Sequence, residues 1–490
     1  MQKKSLNSIL FAALLCVCLP TRTEAQTSYP VKGKVTCGKK GVANVVVTDG
    51  QTCVLTDKDG LFSMPSPDRN AEFVYITTPS GYLTQDSLGI PQFYQRINSE
   101  KSQTFHFTIK KNPKNDHRHT LLVHSDPQFF KEENFASYTK IVEDCKQTIN
   151  SNKQHDVFGI DCGDLVGDRP QLYSRYIGEL NKTGIPFYRV LGNHDENYGG
   201  RSDETSTHTY NSVFGPAYYS FNRGKVHYIV LDNVFYIGRD YFYIGYITEK
   251  MFQWLEQDLS HVPKGSTVFV AMHIPAQLSE TPQPFSYSNE NMGGQTINAS
   301  ALFKILEPYN AHILTGHMHY NKNIIHAPNL YEHNTAAICG TWWQGDYCLD
   351  GTPLGYGVYE INGDNVQWYF KSAGHPQEYQ MRAYAVGENT NFPGEVTVNV
   401  WNWDKNWKIE WTENGQNRGE MTRFQGIDPE VVKMCADKDK LEFKWISPII
   451  NEHMFRATPA SKGSTIEIIV TDAFGKKYKT TLKSNNPKNK

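Results

Sequence analysis

The sequence predicts a multidomain protein in which an α/β domain lies between two all-β domains. The chain has 490 residues, which is more than one ordinary domain contains. Short β-favouring segments separated by turn residues fill both ends of the chain. Strand-like and helix-like patterns alternate only in the middle, and this alternation is typical of a layered α/β domain.

The first 25 residues have the composition of a cleaved signal peptide. Lys3 and Lys4 provide a basic start, and residues 9–19 form an apolar run too short to span a bilayer. Ala25 supplies a small residue at the cleavage point. The two cysteines of the apolar run follow large residues, which argues against a lipid anchor. We therefore expect an exported protein, periplasmic or secreted, without a transmembrane segment.

Residues 26–113 are predicted to form an N-terminal β-sandwich. Their β-favouring segments are short, and the sequence shows no acid–base or metal-binding cluster among them. The sequences GKV at 33–35, GVANV at 41–45 and TDKDGLF at 56–62 resemble the transthyretin-like domain. This resemblance implies a structural accessory domain.

The remaining residues divide into the central domain and a second β domain. Residues 114–373 contain the alternating strand and helix patterns, including apolar residues at helical spacing over 135–149. After residue 343 the helical periodicity fades, and residues 374–490 are predicted to form a C-terminal β-sandwich.

Charge and cysteine content exclude some classes of function. The formal net charge is −2, so the sequence predicts no nucleic-acid-binding surface. Seven cysteines follow the signal peptide, and none lies in a C-x-x-C motif, which argues against a structural zinc site. Cys37 with Cys53, and Cys339 with Cys348, are either disulfide pairs or free thiols.

Polar clusters follow five predicted strands of the central domain. Each cluster alone is explained by ordinary turn chemistry or by a buried histidine. All five in order at strand ends are better explained by one site, because ligand chemistry in α/β sheets lies beyond the carboxyl ends of the strands. The clusters are Ser125-Asp126-Pro127-Gln128, Gly163-Asp164 with Asp168, Gly192-Asn193-His194-Asp195, His273, and Gly316-His317-Met318-His319.

Over residues 118–370 these clusters match D-x-[HQ], G-D-x-x-[DG], G-N-H-[DE], a lone His and G-H-x-H. The chain thus resembles the calcineurin-like metallophosphoesterases, in their bacterial form with N-terminal and C-terminal domains. The resemblance implies a central four-layer α/β/β/α sandwich and a dinuclear metal centre. It implies that one metal is bound by Asp126, Gln128 and His319, the other by Asn193, His273 and His317, and that Asp164 bridges both.

The residue types fit such a centre. A pair of divalent ions needs a bridging carboxylate, and Asp164 is the best placed. Carboxylate and amide oxygens mixed with imidazoles suit Mn²⁺, Fe, Zn²⁺ or Ni²⁺ better than Ca²⁺. Gln128 departs from the family, because many members have His there and Gln is the weaker ligand.

The resemblance also implies the catalytic groups. His194 is expected to face the phosphate and to give a proton to the leaving oxygen. Asp168 is the candidate to orient His194. Asp168 follows Asp164 by four residues rather than the three of the phosphoprotein-phosphatase branch, so Asp195 is the alternative orienting acid.

The predicted function is hydrolysis of a phosphate ester, mono or di, by a hydroxide that bridges two metals. The expected substrate is a small-molecule or envelope-derived phosphate ester. The alternative is an exported glycan- or envelope-binding protein on a decayed phosphoesterase scaffold. A decayed site should have lost ligands, and only the position of Gln128 departs. A purple-acid-type centre would need a Tyr just after Asp164, and residues 165–168 contain none.

Overall fold

The computed structural model describes residues 30–65, 67, 70–98, 103–239, 242–280 and 287–484. The predicted signal peptide lies outside the described residues. In the described part of the chain, no helix is long and apolar enough to span a bilayer. The predicted fold class is confirmed: a mixed α/β region with two stacked sheets lies between two strand-rich regions.

The N-terminal region consists mainly of two small sheets packed face to face. One has the order β2-β1-β11-β7 with β5 added to β1, and the other has the order β10-β6-β3-β4. Alternation of buried and exposed residues along β11 places Phe105, Phe107 and Ile109 in the core between them. The strands are β1 (Val31–Cys37), β2 (Lys40–Gly41), β3 (Val46–Thr48), β4 (Cys53–Leu55), β5 (Leu61–Met64), β6 (Phe73–Ile76), β7 (Tyr82–Leu83), β8 (Asp86–Ser87), β9 (Ile90–Pro91), β10 (Tyr94–Arg96) and β11 (Thr104–Lys111).

The central region contains seven helices among the described residues and two large sheets. Its elements are β12 (Arg118–His124), α1 (Phe135–Ser151), β13 (Asp156–Asp161), α2 (Tyr173–Leu180), β14 (Phe187–Arg189), α3 (Asp203–Ser206), α4 (His208–Phe214), β15 (Tyr219–Arg223), β16 (Val226–Val230), β17 (Val234–Arg239), β18 (Phe242–Gly245), α5 (Glu249–Leu259), β19 (Thr267–Ala271), α6 (Asn289–Gly293), α7 (Ala299–Leu306), β20 (Asn310–Thr315), β21 (Lys322–Ala327), β22 (Leu330–Asn334), β23 (Gly355–Asn362) and β24 (Asn365–Ser372).

The two sheets stack between layers of helices. The first has the order β14-β13-β12-β23-β24, and the second has the order β15-β16-β19-β20-β22-β21. Their inner faces share one core, in which the rings of Phe158 and Tyr228 lie 5.2 Å apart. Helices α1 and α2 cover the outer face of the first sheet at Leu122, and α5 and α7 pack on the second. The strands are buried on both faces, which explains their nearly continuous apolar sequences.

Two pieces of local structure were not predicted from the sequence. The first is the pair of short helices α3 and α4, most of which lies within residues 196–211. These helices are shorter than the window in which helical periodicity is detectable, and packing of Tyr210 and Phe214 into the core stabilises α4. The hairpin β17–β18 was also missed.

The C-terminal region has two four-stranded sheets and one helix in its described part. The sheets have the orders β25-β26-β30-β29 and β28-β27-β31-β32 around a core of their own. The helix was not predicted, although Asp428 caps it and Pro429 begins it, as is typical of helix starts. The elements are β25 (Arg382–Tyr384), β26 (Val396–Asn399), β27 (Lys408–Glu413), β28 (Gln416–Glu420), β29 (Thr422–Gly426), α8 (Pro429–Ala436), β30 (Asn451–Ala457), β31 (Thr465–Thr471) and β32 (Lys477–Lys483).

Candidate metal centre

All five polar clusters lie at one edge of the two stacked sheets. Three follow the parallel strands β12, β13 and β14 of the first sheet. The other two follow the parallel strands β19 and β20 of the second. Because the carboxyl ends of parallel strands meet at one edge, side chains distant in sequence become neighbours there.

The turns at this edge hold an unusual backbone conformation. Eleven non-glycine residues in the described part of the chain have positive φ, and six of them belong to the predicted site. A positive φ in a non-glycine residue costs free energy and persists only where the surrounding structure stabilises it. A cluster of such residues is therefore typical of a functional site. The six are Asp126 (49°), Gln128 (38°), Asp164 (52°), Asp168 (58°), His317 (70°) and His319 (53°).

The glycines of the motifs allow the clusters to approach each other. A Cβ atom on Gly192 would lie 2.1 Å from the backbone nitrogen of Asp164 and 2.3 Å from its Oδ1. A Cβ atom on Gly316 would lie 2.1 Å from Ser125 Oγ and 2.6 Å from Asp126 Oδ2. Both positions therefore require glycine for steric reasons.

Asp164, His273 and His317 form the tightest group. Their ligand atoms all lie within 4.8 Å of one another. His273 Nε2 is 3.3 Å from Asp164 Oδ1, 3.0 Å from Asn193 Oδ1 and 3.1 Å from His317 Nδ1. His273 Nδ1 lies 2.8 Å from the Cys162 carbonyl oxygen, which fixes Nδ1 as a donor and directs Nε2 toward the group.

Asp126, Gln128 and His319 form a second group beside the first. His319 Nε2 is 3.6 Å from Asp126 Oδ1, and its Nδ1 lies 2.9 Å from the Gly340 carbonyl oxygen, which orients the ring. The Gln128 amide nitrogen donates to Asp164 Oδ2 at 3.2 Å. A half-turn of this amide would bring its oxygen to the same place.

Asp164 joins the two groups. Its Oδ1 accepts a hydrogen bond from the His194 backbone at 2.9 Å and faces His273, while its Oδ2 faces Gln128. The side chain is almost completely buried. One carboxylate thus presents an oxygen atom to each group, which is the arrangement that a bridging ligand requires.

The donor set fits divalent cations. Carboxylate, amide and imidazole lone pairs converge here in a buried place, and buried lone pairs need a hydrogen or a cation between them. Burial alone lowers the pKa of His273, but the carboxylates of Asp164 and Asp126 outweigh it and raise the pKa to about 9. Without a metal, His273 therefore binds a proton beside Asp164 and Asp126. A bound cation would neutralise the same two carboxylates.

The other ligand candidates have the protonation states that metal binding needs. Burial lowers the pKa of His317 to about 3 and also lowers that of His319, so both rings are neutral. Burial raises the pKa of Asp164, but His273 and His194 outweigh it, and its pKa lies well below the ordinary value. Neutral imidazoles and an ionised carboxylate are the forms that bind metals.

His194 and Asp168 form an ion pair at the mouth of the site. His194 Nδ1 lies 2.7 Å from Asp168 Oδ1, and the His194 side chain retains 28% of its exposure. Burial lowers the pKa of His194, but Asp164 and Asp168 outweigh it and raise the pKa to about 9. His194 thus holds a proton at neutral pH and directs its other ring nitrogen away from Asp168.

Asp195, the alternative orienting acid, braces the turn instead. Its oxygens accept hydrogen bonds from the backbone of Leu165 at 3.1 Å and of Gly192 at 3.0 Å. The Tyr173 hydroxyl donates to it at 3.0 Å. These bonds hold the second and third clusters together and occupy both oxygens.

Sequence reasoning missed Asn233, which fixes the fourth cluster. Its side-chain oxygen accepts hydrogen bonds from the backbone of His273 and Ile274 at 3.1 Å. Its amide donates to the Ile274 carbonyl at 2.6 Å and to Thr296 Oγ1 at 2.8 Å. The signal was present, because Asn233 follows β16 closely, as the ligand candidates follow their strands.

The adjacent tryptophans Trp342 and Trp343 take different roles. Trp342 stacks on His319 with ring centres 4.2 Å apart. Trp343 stacks on Phe129 at 5.4 Å and donates from its indole nitrogen to the Pro127 carbonyl at 3.0 Å. Trp342 therefore belongs to the rim of the site, and Trp343 belongs to the core.

Three family models match consecutive parts of the chain. The model described as calcineurin-like phosphoesterase matches residues 119–321. The models described as the N terminal and C terminal of calcineurin-like phosphoesterase match residues 29–112 and 332–478. The last match begins within β22, so it includes β23 and β24 of the first central sheet. No curated protein sequence matches the chain significantly.

Solved structures similar to this chain include three hydrolases. A dimetal phosphatase from Danio rerio is 12% identical, with a TM-score of 0.37 over 52% of this chain and 96% of its own. A purple acid phosphatase from yellow lupin seeds is 10% identical, with a TM-score of 0.38 over 71% and 73%. A 5'-nucleotidase from Candida albicans is 14% identical, with a TM-score of 0.33 over 54% and 53%. Scores at this level do not bear on activity.

The three matches cover the chain in the order N terminal, phosphoesterase and C terminal, and the phosphoesterase match contains all five strand-end clusters. The protein belongs to the calcineurin-like phosphoesterase family, in the form that carries N-terminal and C-terminal domains.

Proposed function

We propose that the protein hydrolyses a phosphate ester with the help of two divalent metal ions. The observation that carries the proposal is the position of Asp164, which presents one oxygen to each of two groups of ligand atoms. Mn²⁺, Fe, Zn²⁺ and Ni²⁺ suit these mixed oxygen and nitrogen ligands. Both monoesters and diesters are candidate substrates.

The proposed ligands follow the two groups. Asp126, Gln128 and His319 would hold one ion, with the amide of Gln128 turned so that its oxygen faces Asp164. One amide oxygen and two imidazoles, those of Asn193, His273 and His317, would hold the other ion. Asp164 would bridge the ions.

Divalent ions at this centre would supply Lewis acidity toward the phosphoryl oxygens and lower the pKa of a water molecule. The protein's own residues would orient and protonate the substrate. His194 would face the phosphoryl group and donate its Nε2 proton to the leaving oxygen. Asp168, at 2.7 Å from Nδ1, would fix the ring and keep it protonated.

The domain boundaries and the location are part of the proposal. We place a signal peptide at residues 1–25, a transthyretin-like domain at 26–113, the phosphoesterase at 114–373 and a β domain at 374–490. The sheet topology supports the boundary between residues 373 and 374, because β24 belongs to a central sheet and β25 belongs to a C-terminal sheet. Export to the periplasm or beyond would follow from the signal peptide.

The first test is hydrolysis of a chromogenic phosphodiester beside its monoester, with metal-stripped protein to which Mn²⁺ is returned. Metal-dependent turnover of either ester is expected, and the ratio of rates assigns the ester class. Protein that binds no metal and hydrolyses neither ester would contradict the proposal.

Asp164→Asn tests the bridging role. Loss of the shared negative charge should reduce bound metal and lower turnover at least a thousandfold, a loss of about 4 kcal/mol in transition-state stabilisation. Metal content is measured by elemental analysis and turnover by ester hydrolysis. Asp161→Asn is the matched control, because burial raises the pKa of Asp161 to about 8 and its neutral side chain resembles asparagine. Undiminished activity of Asp164→Asn would contradict the assignment.

His194→Ala and Asp168→Asn test the proton donor. His194→Ala should keep both metals and lose about a hundredfold or more in rate, a typical loss for a general acid. Asp168→Asn removes an acid that raises the pKa of His194, so the alkaline limb of the rate profile should move to lower pH. Loss of metal from His194→Ala would make His194 a ligand instead.

A further inference from the structure

One tryptophan of the C-terminal region lies exposed at the rim of the candidate metal centre. Trp445 keeps 61% of its surface exposed. Its ring meets the ring of Trp342 edge to face, with centres 4.5 Å apart. Trp342 in turn stacks on His319 with centres 4.2 Å apart. A single ring therefore separates Trp445 from a proposed metal ligand.

The backbone that carries Trp445 is held in place on both sides. Phe443 donates from its backbone nitrogen to the Gln344 side-chain oxygen at 3.0 Å, and its ring contacts Phe130 at 5.6 Å. Ile446 is fully buried in a small apolar cluster with Val431 of α8. The segment follows α8 and is tied to the loop that carries Trp342, so the exposed indole is presented in a fixed position.

Exposure of an anchored indole at this place is not explained by folding. Burial of a large aromatic side chain would stabilise the fold, yet Trp445 stays exposed. Its neighbour Ile446 is the residue that anchors the segment in the apolar cluster. Aromatic rings left exposed beside a reactive centre are typical of surfaces that bind rings of ligands. An indole also stacks on planar bases and on the apolar faces of sugars.

We infer that Trp445 determines substrate specificity by stacking on a ring in the alcohol portion of the phosphate ester. This inference rests on the proposed function, since it places the phosphoryl group at the metal centre and the esterified ring beside Trp342. The substrate class is then a phosphate ester of a ring-containing alcohol, and esters of short open-chain alcohols are poor substrates. The C-terminal domain contributes to the substrate site in this way.

Binding of phosphonates tests the inference independently of turnover. Full-length protein loaded with Mn²⁺ is titrated with phenylphosphonate and with methylphosphonate by calorimetry. The wild type is expected to bind phenylphosphonate about tenfold more tightly, a difference of about 1.4 kcal/mol. Trp445→Ala should remove this preference and leave the affinity for methylphosphonate unchanged, while Trp445→Phe should retain most of it.

Ile450→Ala is the matched control, because Ile450 is an exposed apolar residue of the same region with 67% of its surface exposed. It should leave both affinities unchanged. A wild type without preference for the phenyl compound, or a Trp445→Ala variant that keeps it, would overturn the inference. A preference that depends on Trp445 in a protein that hydrolyses no ester would overturn the proposed function alone.

Kinetics then identify the ring. Hydrolysis of adenosine monophosphate, glucose 6-phosphate and ethyl phosphate is compared in the wild type and in Trp445→Ala. The inference predicts an increase in KM of about tenfold for a ring ester with little change in kcat, and no change for ethyl phosphate. A larger effect on the nucleotide indicates a base, and a larger effect on the sugar phosphate indicates a glycosyl ring. Equal effects on all three esters would contradict stacking.

Discussion

The two flanking β domains attach to the phosphoesterase domain in different ways. The N-terminal domain shares one continuous apolar core with the stacked central sheets. The C-terminal domain keeps a core of its own and joins the centre through hydrogen bonds around Asp350 and through two small apolar clusters, one containing Trp401 and the other Ile446. The first interface merges two cores, whereas the second combines small apolar clusters with directed polar contacts.

The N-terminal interface is built on aromatic rings. Phe93 is 3% exposed and packs on Tyr219 at 4.5 Å and on Tyr188 at 6.4 Å. The backbone of Gly89 accepts hydrogen bonds from Phe187 at 3.0 Å and from the Arg189 side chain at 2.9 Å. These contacts support β14 and β15 from outside the metal centre.

The C-terminal interface is built on a buried carboxylate. Asp350 accepts hydrogen bonds from the backbone of Asn321 at 2.9 Å and of Thr352 at 3.0 Å, and it contacts His453 Nε2 at 3.2 Å. Asn321 lies two residues after His319, so these bonds fix the chain beside a proposed ligand. The amide of Asn321 also donates to the Trp401 carbonyl at 2.8 Å.

The difference indicates which domain supports folding and which supports the site. Apolar area is not directional, so an aromatic interface stabilises a fold without positioning individual atoms. Hydrogen bonds are directional, so the network of Asp350 can set the position of Asn321 and of the loop that carries His319. Mutations and acid should therefore affect the two interfaces differently.

Phe93→Ala should cause the largest loss of stability. Truncation of a buried ring between two domains leaves a cavity and is expected to cost about 4 kcal/mol in free energy of unfolding. Chemical denaturation measures the loss. Leu88→Ala in the same domain is the control, because Leu88 is 59% exposed and should change stability by less than about 0.5 kcal/mol. A loss below about 1 kcal/mol, a quarter of the expected cost, would show that the N-terminal domain has a core separate from that of the central sheets.

Asp350→Ala should loosen the C-terminal domain by less. The buried donors of Asn321, Thr352 and His453 would lose their acceptor, which is expected to cost about 3 kcal/mol. Limited proteolysis should then cleave residues 374–484 before the rest of the chain. An unchanged cleavage pattern would show that the two domain interfaces do not differ in this way.

Acid should weaken the C-terminal interface first. Burial raises the pKa of Asp350, but the hydrogen bonds and the charge of His453 outweigh it and lower the pKa below the ordinary 3.8. A carboxyl group whose pKa is lowered by folding stabilises the fold above its unfolded pKa, and this stability is lost as pH falls through the folded pKa. The loss therefore begins near pH 3.8 and continues below it.

Pepsin digestion between pH 4.5 and pH 2.5, a range of about two units around the ordinary pKa of an aspartate, measures this acid effect. As the pH falls, pepsin should begin to cleave the C-terminal domain at a higher pH than the N-terminal domain. The reason is that the C-terminal interface loses about 1 kcal/mol of stability per pH unit. Asp350→Asn should remove the difference. Equal acid sensitivity of the two domains would contradict the contrast between the interfaces.

The sequence predicted the α/β domain and the strand ends of the site from local patterns. Alternation of strands and helices is readable within a few residues, and the motif glycines mark turns that need close approach. The short helices α3 and α4 and the hairpin β17–β18 were missed because their patterns are too short and tertiary packing stabilises them. Asn233 was missed because a single asparagine after a strand is ordinary turn chemistry.

Local sequence patterns were enough to place carboxylate, amide and imidazole side chains at the strand ends, since ligand chemistry and strand periodicity are local properties. The packing of the folded chain brings Asp168 rather than Asp195 into contact with His194, because the backbone amides of Leu165 and Gly192 occupy Asp195. The same packing places Trp445 beside Trp342. These contacts join residues far apart in the chain, and their formation depends on how whole domains pack, which no local pattern encodes.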